Sequence, residues 1–278
     1  MRIVNTFISE SADIPDYTEI SLRQARNLNP DVIIDFISLR PADYFDELRI
    51  NWIDQQTISS DLLDDFRSVC WFDRHDTPNT TYPSPVGFWQ KTAERIYYLQ
   101  DYIRQFNLKD VIHFENDVLI YDKLEAIKTN DYMMAIPMSA NKSTFAFCYI
   151  PSSAAITSLC SYFNWLLSHY GESQLTSYMR DHISEMSMLN LAMSENLVQP
   201  FPIIPTQGQS LVFDPGSYGQ FLGGTNNGHK SGFTDPEHFI GKLIAENELQ
   251  VRFENMPYVN DTKIFNLHIH SKNLQRFV

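Results

Sequence analysis

Two carboxylates, Glu115 and Asp117, stand two residues apart inside a largely apolar stretch of the chain. Val111-Ile112-His113-Phe114 precede them and Val118-Leu119-Ile120 follow. A charge inside a strand costs free energy unless something compensates its lost hydration. A divalent cation would do so, because such ions prefer carboxylate oxygens as ligands. We therefore predict that the pair ends a buried strand, although two ordinary turn residues would give the same spacing.

A second candidate set lies near the end of the chain, in His268-Ile269-His270-Ser271-Lys272. The two-residue period of a strand would place both histidines on one face. Imidazole together with two carboxylates suits Mn²⁺ or another octahedral ion, and Lys272 would bring positive charge to a phosphate oxygen. The alternative is a pair of solvent-facing histidines on a half-buried strand.

Two predicted helices carry further charged candidates. Lys91 and Arg95 are four residues apart and share a helix face, either as a phosphate contact or as a solvated edge. Asp181 and Glu185 are spaced in the same way and are predicted on the face of their helix that points away from the core. They would face water, or one of them would act as the base for an acceptor hydroxyl.

A segment rich in glycine, Phe213 to Thr225, adds Asp214 as another carboxylate. Glycine lets backbone approach a ligand closely, so the segment suits a sugar- or acceptor-binding loop. A purely structural loop explains it equally well. The pattern is not the glycine fingerprint of dinucleotide-binding proteins.

Alternating strands and helices must position these residues. A strand at Ile3–Ile8, a helix at Tyr17–Leu28 and a strand at Val32–Leu39 predict a β-α-β unit with a parallel strand pair. The remaining predicted elements are a helix at Phe88–Phe106, a strand at Val111–Tyr121, a short helix at Lys123–Lys128, strands at Met133–Pro137 and Thr144–Ile150, and helices at Ala154–His169 and Gln174–Glu195.

Composition limits the classes of protein to which the chain can belong. Its 278 residues are 43% hydrophobic, which is ample for a core, and no obvious linker divides them. The formal net charge of −13 disfavours a general nucleic-acid surface or strong binding to an anionic membrane. Three scattered cysteines and the absence of a signal peptide or an apolar transmembrane stretch predict a soluble, cytoplasmic protein.

In their order along the chain these features resemble the glycosyltransferases of the GT-A fold. Such enzymes open with a β-α-β nucleotide-binding half and then run a helix with a basic residue into a strand that ends in a D/E-x-D motif. Here the helix begins Phe88-Trp89-Gln90-Lys91 and the motif is Glu115-Asn116-Asp117, with glutamate in place of the more usual first aspartate. Some members add a late histidine ligand, which the HIHSK sequence at 268–272 matches.

The resemblance implies a single domain, 1–278, with a donor half at 1–121 and an acceptor half at 122–278 that ends in a metal-closing tail. It implies an α/β fold with a mixed, mainly parallel sheet between helices. It also implies transfer of a hexose or pentose from a UDP- or GDP-type sugar to a glycan or other hydroxyl acceptor, with Mn²⁺ or Mg²⁺.

The resemblance also assigns roles to individual residues. Asp117 would bind the metal, Glu115 the metal or the donor ribose, and His268 or His270 would add a nitrogen ligand. The nucleoside and its phosphates would be held by backbone at Thr6, Phe7 and Ile8, by Asn116 and Ser271, and by the charges of Lys272, Lys91 and Arg95. In an inverting enzyme Asp181 is the first candidate base, followed by Glu185 and Asp214.

Two other classes of function remain open at this point. A metal-dependent phosphoesterase or nucleotidyltransferase also uses carboxylates and histidine, but it would call for a second acidic cluster. A non-catalytic sugar-binding protein on the same scaffold would not need the metal at all.

Overall fold

Helices and strands alternate through the first half of the chain. A computed structural model describes residues 1–10, 13–58, 61–71, 88–171, 174–175, 183–225 and 239–278. The first elements are β1 (Arg2–Phe7), α1 (Tyr17–Leu28), β2 (Ile34–Ser38), β3 (Ile50–Asp54), α2 (Asp61–Val69), α3 (Phe88–Gln105), β4 (Lys109–Phe114) and β5 (Val118–Ile120), with a 3₁₀ turn at Gln55–Thr57.

The second half of the chain begins with two long strands and continues with short ones. They are interleaved with helices as β6 (Met133–Ser139), β7 (Lys142–Ser152), α4 (Ser153–His169), α5 (Glu185–Ser194), β8 (Val198–Pro200), β9 (Leu211–Val212), α6 (Tyr218–Phe221), α7 (Phe239–Glu246), β10 (Val251–Phe253), β11 (Pro257–Val259), β12 (Thr262–Ile264) and β13 (Asn266–His268). Two further 3₁₀ turns lie at Leu124–Ala126 and Leu274–Phe277.

The central sheet has seven strands in the order β3-β2-β1-β4-β7-β6-β8. β1 pairs parallel with both β2 and β4, so their carboxyl ends meet at one edge. β7 runs antiparallel to β4 and β6, and β8 returns to the common direction beside β6. The predicted parallel β-α-β opening and the predicted α/β class, a mixed and mainly parallel sheet between helices, are confirmed.

Helices cover both faces of this sheet, which explains why its inner strands are continuously apolar. One face of the sheet packs against α2, α3, α4 and α5, around fully buried side chains such as Ile96 and Phe163. The other packs α1, through Leu22 and Ala25, against Phe36 and Ile112. No helix in the described part of the chain is long and apolar enough to cross a membrane.

The predicted single strand Val111–Tyr121 is wrong as one element, because β4 ends at Phe114 and β5 starts at Val118. The amide of Val118 donates to the carbonyl of Glu115 (3.0 Å), which closes a turn. β5 then leaves the large sheet and pairs antiparallel with β13, with His268 opposite Val118. The predicted helix at Lys123–Lys128 is reduced to the 3₁₀ turn Leu124–Ala126.

Candidate metal and donor site

The acidic pair occupies the turn between β4 and β5, at the carboxyl edge of the central sheet. Asp117 is buried, with 4% of its surface exposed, although it lies outside a strand. The side-chain amide of Asn116 donates to the carbonyl of Thr6 at the end of β1 (3.1 Å). This bond ties the turn to the neighbouring parallel strand, so the pair sits where open α/β sheets bind ligands.

The end of the chain reaches this turn through strand pairing. The amide of Ile269 donates to the carbonyl of Asp117 (2.9 Å), directly after β13 ends. His268 Nε2 consequently lies 3.2 Å from Glu115 Oε2 and 3.2 Å from Asp117 Oδ2. The ligand atoms of these three residues lie within 4.8 Å of one another, close enough to surround one ion.

Positive groups of the protein already neutralise the two carboxylates. Arg95 Nη2 lies 2.5 Å from Glu115 Oε1, and the Lys272 ammonium contacts Asp117 Oδ2. Burial opposes the ionisation of both carboxylates. Arg95 and His268 nevertheless hold the pKa of Glu115 below its usual range. His268 and Lys272 do the same for the pKa of Asp117. Burial likewise opposes a charge on His268, yet Asp117 and Glu115 raise its pKa. Both carboxylates are therefore held ionised by cationic groups of the protein, and a metal ion bound there would take the place of some of these contacts.

Unused polar atoms around the three residues support this interpretation. The rings of His268 and His270 lie 4.1 Å apart, so the predicted histidine pair does converge, although β13 ends before His270. His270 Nε2 and Asn116 Oδ1 are buried and have no hydrogen-bond partner. Burial and the neighbouring His268 lower the pKa of His270 to about 3, which leaves a neutral imidazole. Neutral imidazole and carboxylate are the donor set of an Mn²⁺-type site, so the residues present fit such an ion.

Asp214 and the glycine segment contact the backbone of His268. Asp214 Oδ2 accepts from the amides of His268 and Gly219 (both 2.9 Å), and Oδ1 accepts from Tyr218 (2.8 Å). A Cβ on Gly219 would lie 2.5 Å from the His268 carbonyl oxygen, so only glycine allows this approach. In this structure the segment therefore packs against the C-terminal tail. The Asp214 carboxylate accepts hydrogen bonds from backbone amides of both the segment and the tail.

The two predicted basic residues of α3 contact carboxylates. Lys91 Nζ lies 2.7 Å from Glu10 and 3.7 Å from Glu94, and it forms no ion pair with Glu115 or Asp117. Arg95 binds Glu115 and lies 3.8 Å from Glu185 Oε1. In this structure α3 therefore brings only Arg95 to the site.

The prediction that Glu185 faces away from the core is wrong. Its side chain is 5% exposed, and it accepts a hydrogen bond from Thr92 Oγ1 (3.1 Å). Burial raises its pKa, while Arg95 opposes that effect. The cause is that α5 packs directly against α3, which periodicity within one helix cannot reveal. Asp181 lies outside the described residues.

Some contacts of the site were not predicted. The Lys272 ammonium lies 5.6 Å from the centre of the Tyr17 ring, which belongs to the first turn of α1. Ser21 Oγ donates to the carbonyl of Val118 (2.5 Å) and so holds α1 against β5. Only one sequence signal could have indicated Tyr17 and Ser21, namely their position on the helix that follows β1. In a parallel β-α-β unit this helix begins at the carboxyl edge of the sheet, where the site lies. Ser271 donates its amide to the Gly224 carbonyl.

No family model matches the sequence, and no curated protein matches it. Several solved structures are similar to it. Mouse xyloside xylosyltransferase 1 in its apo form has a TM-score of 0.43 at 8% identity, over 72% of this chain and 84% of that one. The PaToxG glycosyltransferase has 0.42 at 10%, over 70% and 69%. The galactosyltransferase LgtC, in complex with donor and acceptor sugar analogues, has 0.38 at 14%, over 73% of each chain.

Proposed function

We propose that the protein is a metal-dependent glycosyltransferase, which moves a sugar from a nucleoside-diphosphate sugar to a hydroxyl acceptor. The observation that carries this proposal is the convergence of Glu115, Asp117 and His268 at the carboxyl edge of a mainly parallel sheet. These groups come from two distant parts of the chain, and their fit to a cation does not depend on the sequence motif alone.

The proposed ion is Mn²⁺ or Mg²⁺, held by Asp117, Glu115 and His268, with His270 as a further candidate ligand. Once bound, it would stabilise negative charge on the departing diphosphate. Lys272 would supply a fixed positive charge for the same phosphates. Its ammonium now contacts Asp117 and would turn to the phosphates when the ion takes over the carboxylate.

We assign the nucleoside to the end of β1, where the backbone of Thr6, Phe7 and Ile8 follows the parallel strand. Asn116 bonds the Thr6 carbonyl, and this contact supports a nucleoside position beside the proposed metal ligands, in the proposed donor half at 1–121. For an inverting reaction Asp181 remains our first candidate base. Glu185 and Asp214 are weaker candidates, because Arg95 and Thr92 engage the first and three backbone amides engage the second.

The test is to incubate the protein with a panel of nucleotide sugars, with and without Mn²⁺, and to measure thermal stability and donor hydrolysis. We expect Mn²⁺ and one donor together to raise the melting temperature, because a ligand at about 100 times its Kd adds about 2.7 kcal/mol of stability. Asp117→Asn should remove this effect, while Asp131→Asn, an exposed carboxylate elsewhere, should preserve it.

A complete absence of metal-dependent stabilisation and hydrolysis, with every donor, would exclude the proposed transferase. The rival phosphoesterase predicts a different product, namely free phosphate from simple esters. Among the described residues only Glu115, Asp117 and His268 form a cluster that could hold a metal, so a two-metal site has no second acidic group there.

A further inference from the structure

A cavity of about 530 Å³ opens beyond the carboxyl ends of β1 and β2. Phe7, the last residue of β1, and Ser38, the last of β2, both line it. Its volume is within the range of small-molecule sites, about 300–1,000 Å³.

The cavity is connected to the metal cluster through neighbouring residues of β1 and α1. Phe7 directly follows Thr6, whose carbonyl accepts the bond from Asn116. On the other side Asp16 lines the cavity, and the next residue, Tyr17, packs against the Lys272 ammonium. A nucleotide whose diphosphate lies at the metal cluster would therefore direct its nucleoside towards this cavity. The role inferred for the cavity thus rests on the proposed function.

The walls of the cavity combine apolar surface with hydrogen-bond acceptors. Phe7, Ile14, Leu39 and Pro41 offer apolar contacts for a flat ring. The hydroxyl of Tyr44, a further lining residue, is buried without a hydrogen-bond partner. Arg40 is the one basic residue in the lining. Four carboxylates complete it: Asp13, Asp16, Glu19 and Asp43.

Two of these carboxylates are already engaged. Asp13 lies 3.6 Å from Arg40, and Glu19 lies 2.6 Å from Arg23. Asp16 and Asp43 are both exposed and form no ion pair or side-chain hydrogen bond with any described residue, and Asp16 does not use its carboxylate to cap α1. The excess of negative charge disfavours a phosphate in the cavity and favours a neutral group that donates hydrogen bonds.

The bases of nucleotides differ in the donors that they present. Guanine carries a ring N–H beside an amino group, and two adjacent donors match one carboxylate bidentately. Uracil carries one N–H between two carbonyl oxygens, which a carboxylate repels. Adenine and cytosine each present an amino group beside an unprotonated ring nitrogen, so they match a carboxylate only in part.

We propose that this cavity selects guanine, so that the donor is a guanosine-diphosphate sugar, with Asp16 and Asp43 accepting hydrogen bonds from the base. The test is to titrate the protein with GDP, UDP, CDP and ADP in the presence of Mn²⁺, by calorimetry. GDP should bind at least about tenfold more tightly than UDP, the ratio expected from one additional hydrogen bond to a charged group.

The double variant Asp16→Asn/Asp43→Asn should weaken GDP about tenfold and leave UDP unchanged. Asp46→Asn is the matched control, an exposed carboxylate in the same loop that does not line the cavity. Binding of UDP as tight as that of GDP, or an equal loss for all four nucleotides in the double variant, would overturn the inference. If none of the four binds with Mn²⁺, the proposed function itself fails.

Discussion

Lys272 holds its side chain against Asp117 from an unusual backbone conformation. Its φ is 62°, in the left-handed region that costs a residue with a Cβ roughly 1–2 kcal/mol. The turn is maintained because the Lys272 amide donates to the Ile269 carbonyl (3.0 Å). Since the ammonium contacts the oxygen of Asp117 nearest His268, the proposed metal and Lys272 compete for one carboxylate.

This competition separates two effects of Lys272→Met. In the absence of nucleotide, Mn²⁺ should bind the variant at least as tightly as it binds the unmodified protein, because Asp117 has lost a competing cation. A nucleoside diphosphate should bind about tenfold more weakly, since a positive charge near its phosphates is lost. Calorimetry with Mn²⁺ alone and then with the nucleotide measures both.

Lys109→Met, an exposed lysine at the opposite end of β4, is the control and should change neither affinity. Weaker Mn²⁺ binding in Lys272→Met would mean that Lys272 positions Asp117 and does not compete with the ion.

At the scale of elements, one buried carboxylate joins α2 to α3. Glu94 is 1% exposed and lies 2.9 Å from Arg67 Nε, with Gln90 donating to it as well (2.9 Å). Burial opposes its ionisation, but Arg67 and Gln90 lower the pKa of Glu94 below the ordinary 4.5. A lowered folded pKa means stability that is fully present above pH 4.5 and is lost as the pH falls through the folded value.

Glu94→Gln should therefore lower the free energy of unfolding at neutral pH by about 1–3 kcal/mol, the contribution of hydrogen bonds to a charged group. The difference from the unmodified protein should shrink as the pH falls below 4.5, and urea titrations at several pH values measure it. Glu246→Gln removes an exposed ion pair with Lys242 and should change stability by less than about 0.5 kcal/mol. A Glu94→Gln deficit that is the same at every pH would contradict the assigned ion pair.

A second prediction concerns the loop between β9 and α6, where Asp214 fastens β13. Asp214→Asn replaces one acceptor oxygen by an N–H₂ group, so at least one of the amides of His268, Gly219 and Tyr218 loses its partner. We expect a loss of about 2–4 kcal/mol in urea unfolding and weaker Mn²⁺ binding, because His268 is displaced. If Asp214 were instead the catalytic base, turnover would fall while stability and metal affinity stayed unchanged.

The sequence predicts an element accurately when residues close in sequence determine it, and less accurately when contacts with distant elements do. The helix at Tyr17–Leu28 is confirmed at both ends, because its apolar period and the Asn29-Pro30 stop are local signals. The apolar pattern predicts one strand across the acidic turn, because the break in that strand depends on β13, which is more than 140 residues away. The predicted position of Glu185 is wrong for the same reason, since its partners Thr92 and Arg95 belong to another helix.

For the whole molecule, the proposed metal would join the middle of the chain, at Glu115 and Asp117, to its C-terminal segment at His268. Hydrogen exchange of the amides in 117–120 and 266–269 should slow when Mn²⁺ and a nucleoside diphosphate are added, because opening β5 from β13 would then break metal bonds. Exchange in 251–259, where β10 and β11 form one side of a separate four-stranded sheet with β12 and β9, should not change. Equal slowing in both regions would indicate general stabilisation and no specific closure.

Periodicity and residue chemistry are local properties, so the sequence predicts the α/β alternation, the apolar strands and the candidate ligand types at 115–117 and 268–272. It could not determine that Arg95 neutralises Glu115, that Asp214 is consumed by backbone amides, or that Glu185 is buried. Only the tertiary structure decided these points. Each depends on which distant elements pack together, because packing decides whether a carboxylate becomes a candidate metal ligand, a hydrogen-bond acceptor for backbone amides or an ion-pair partner.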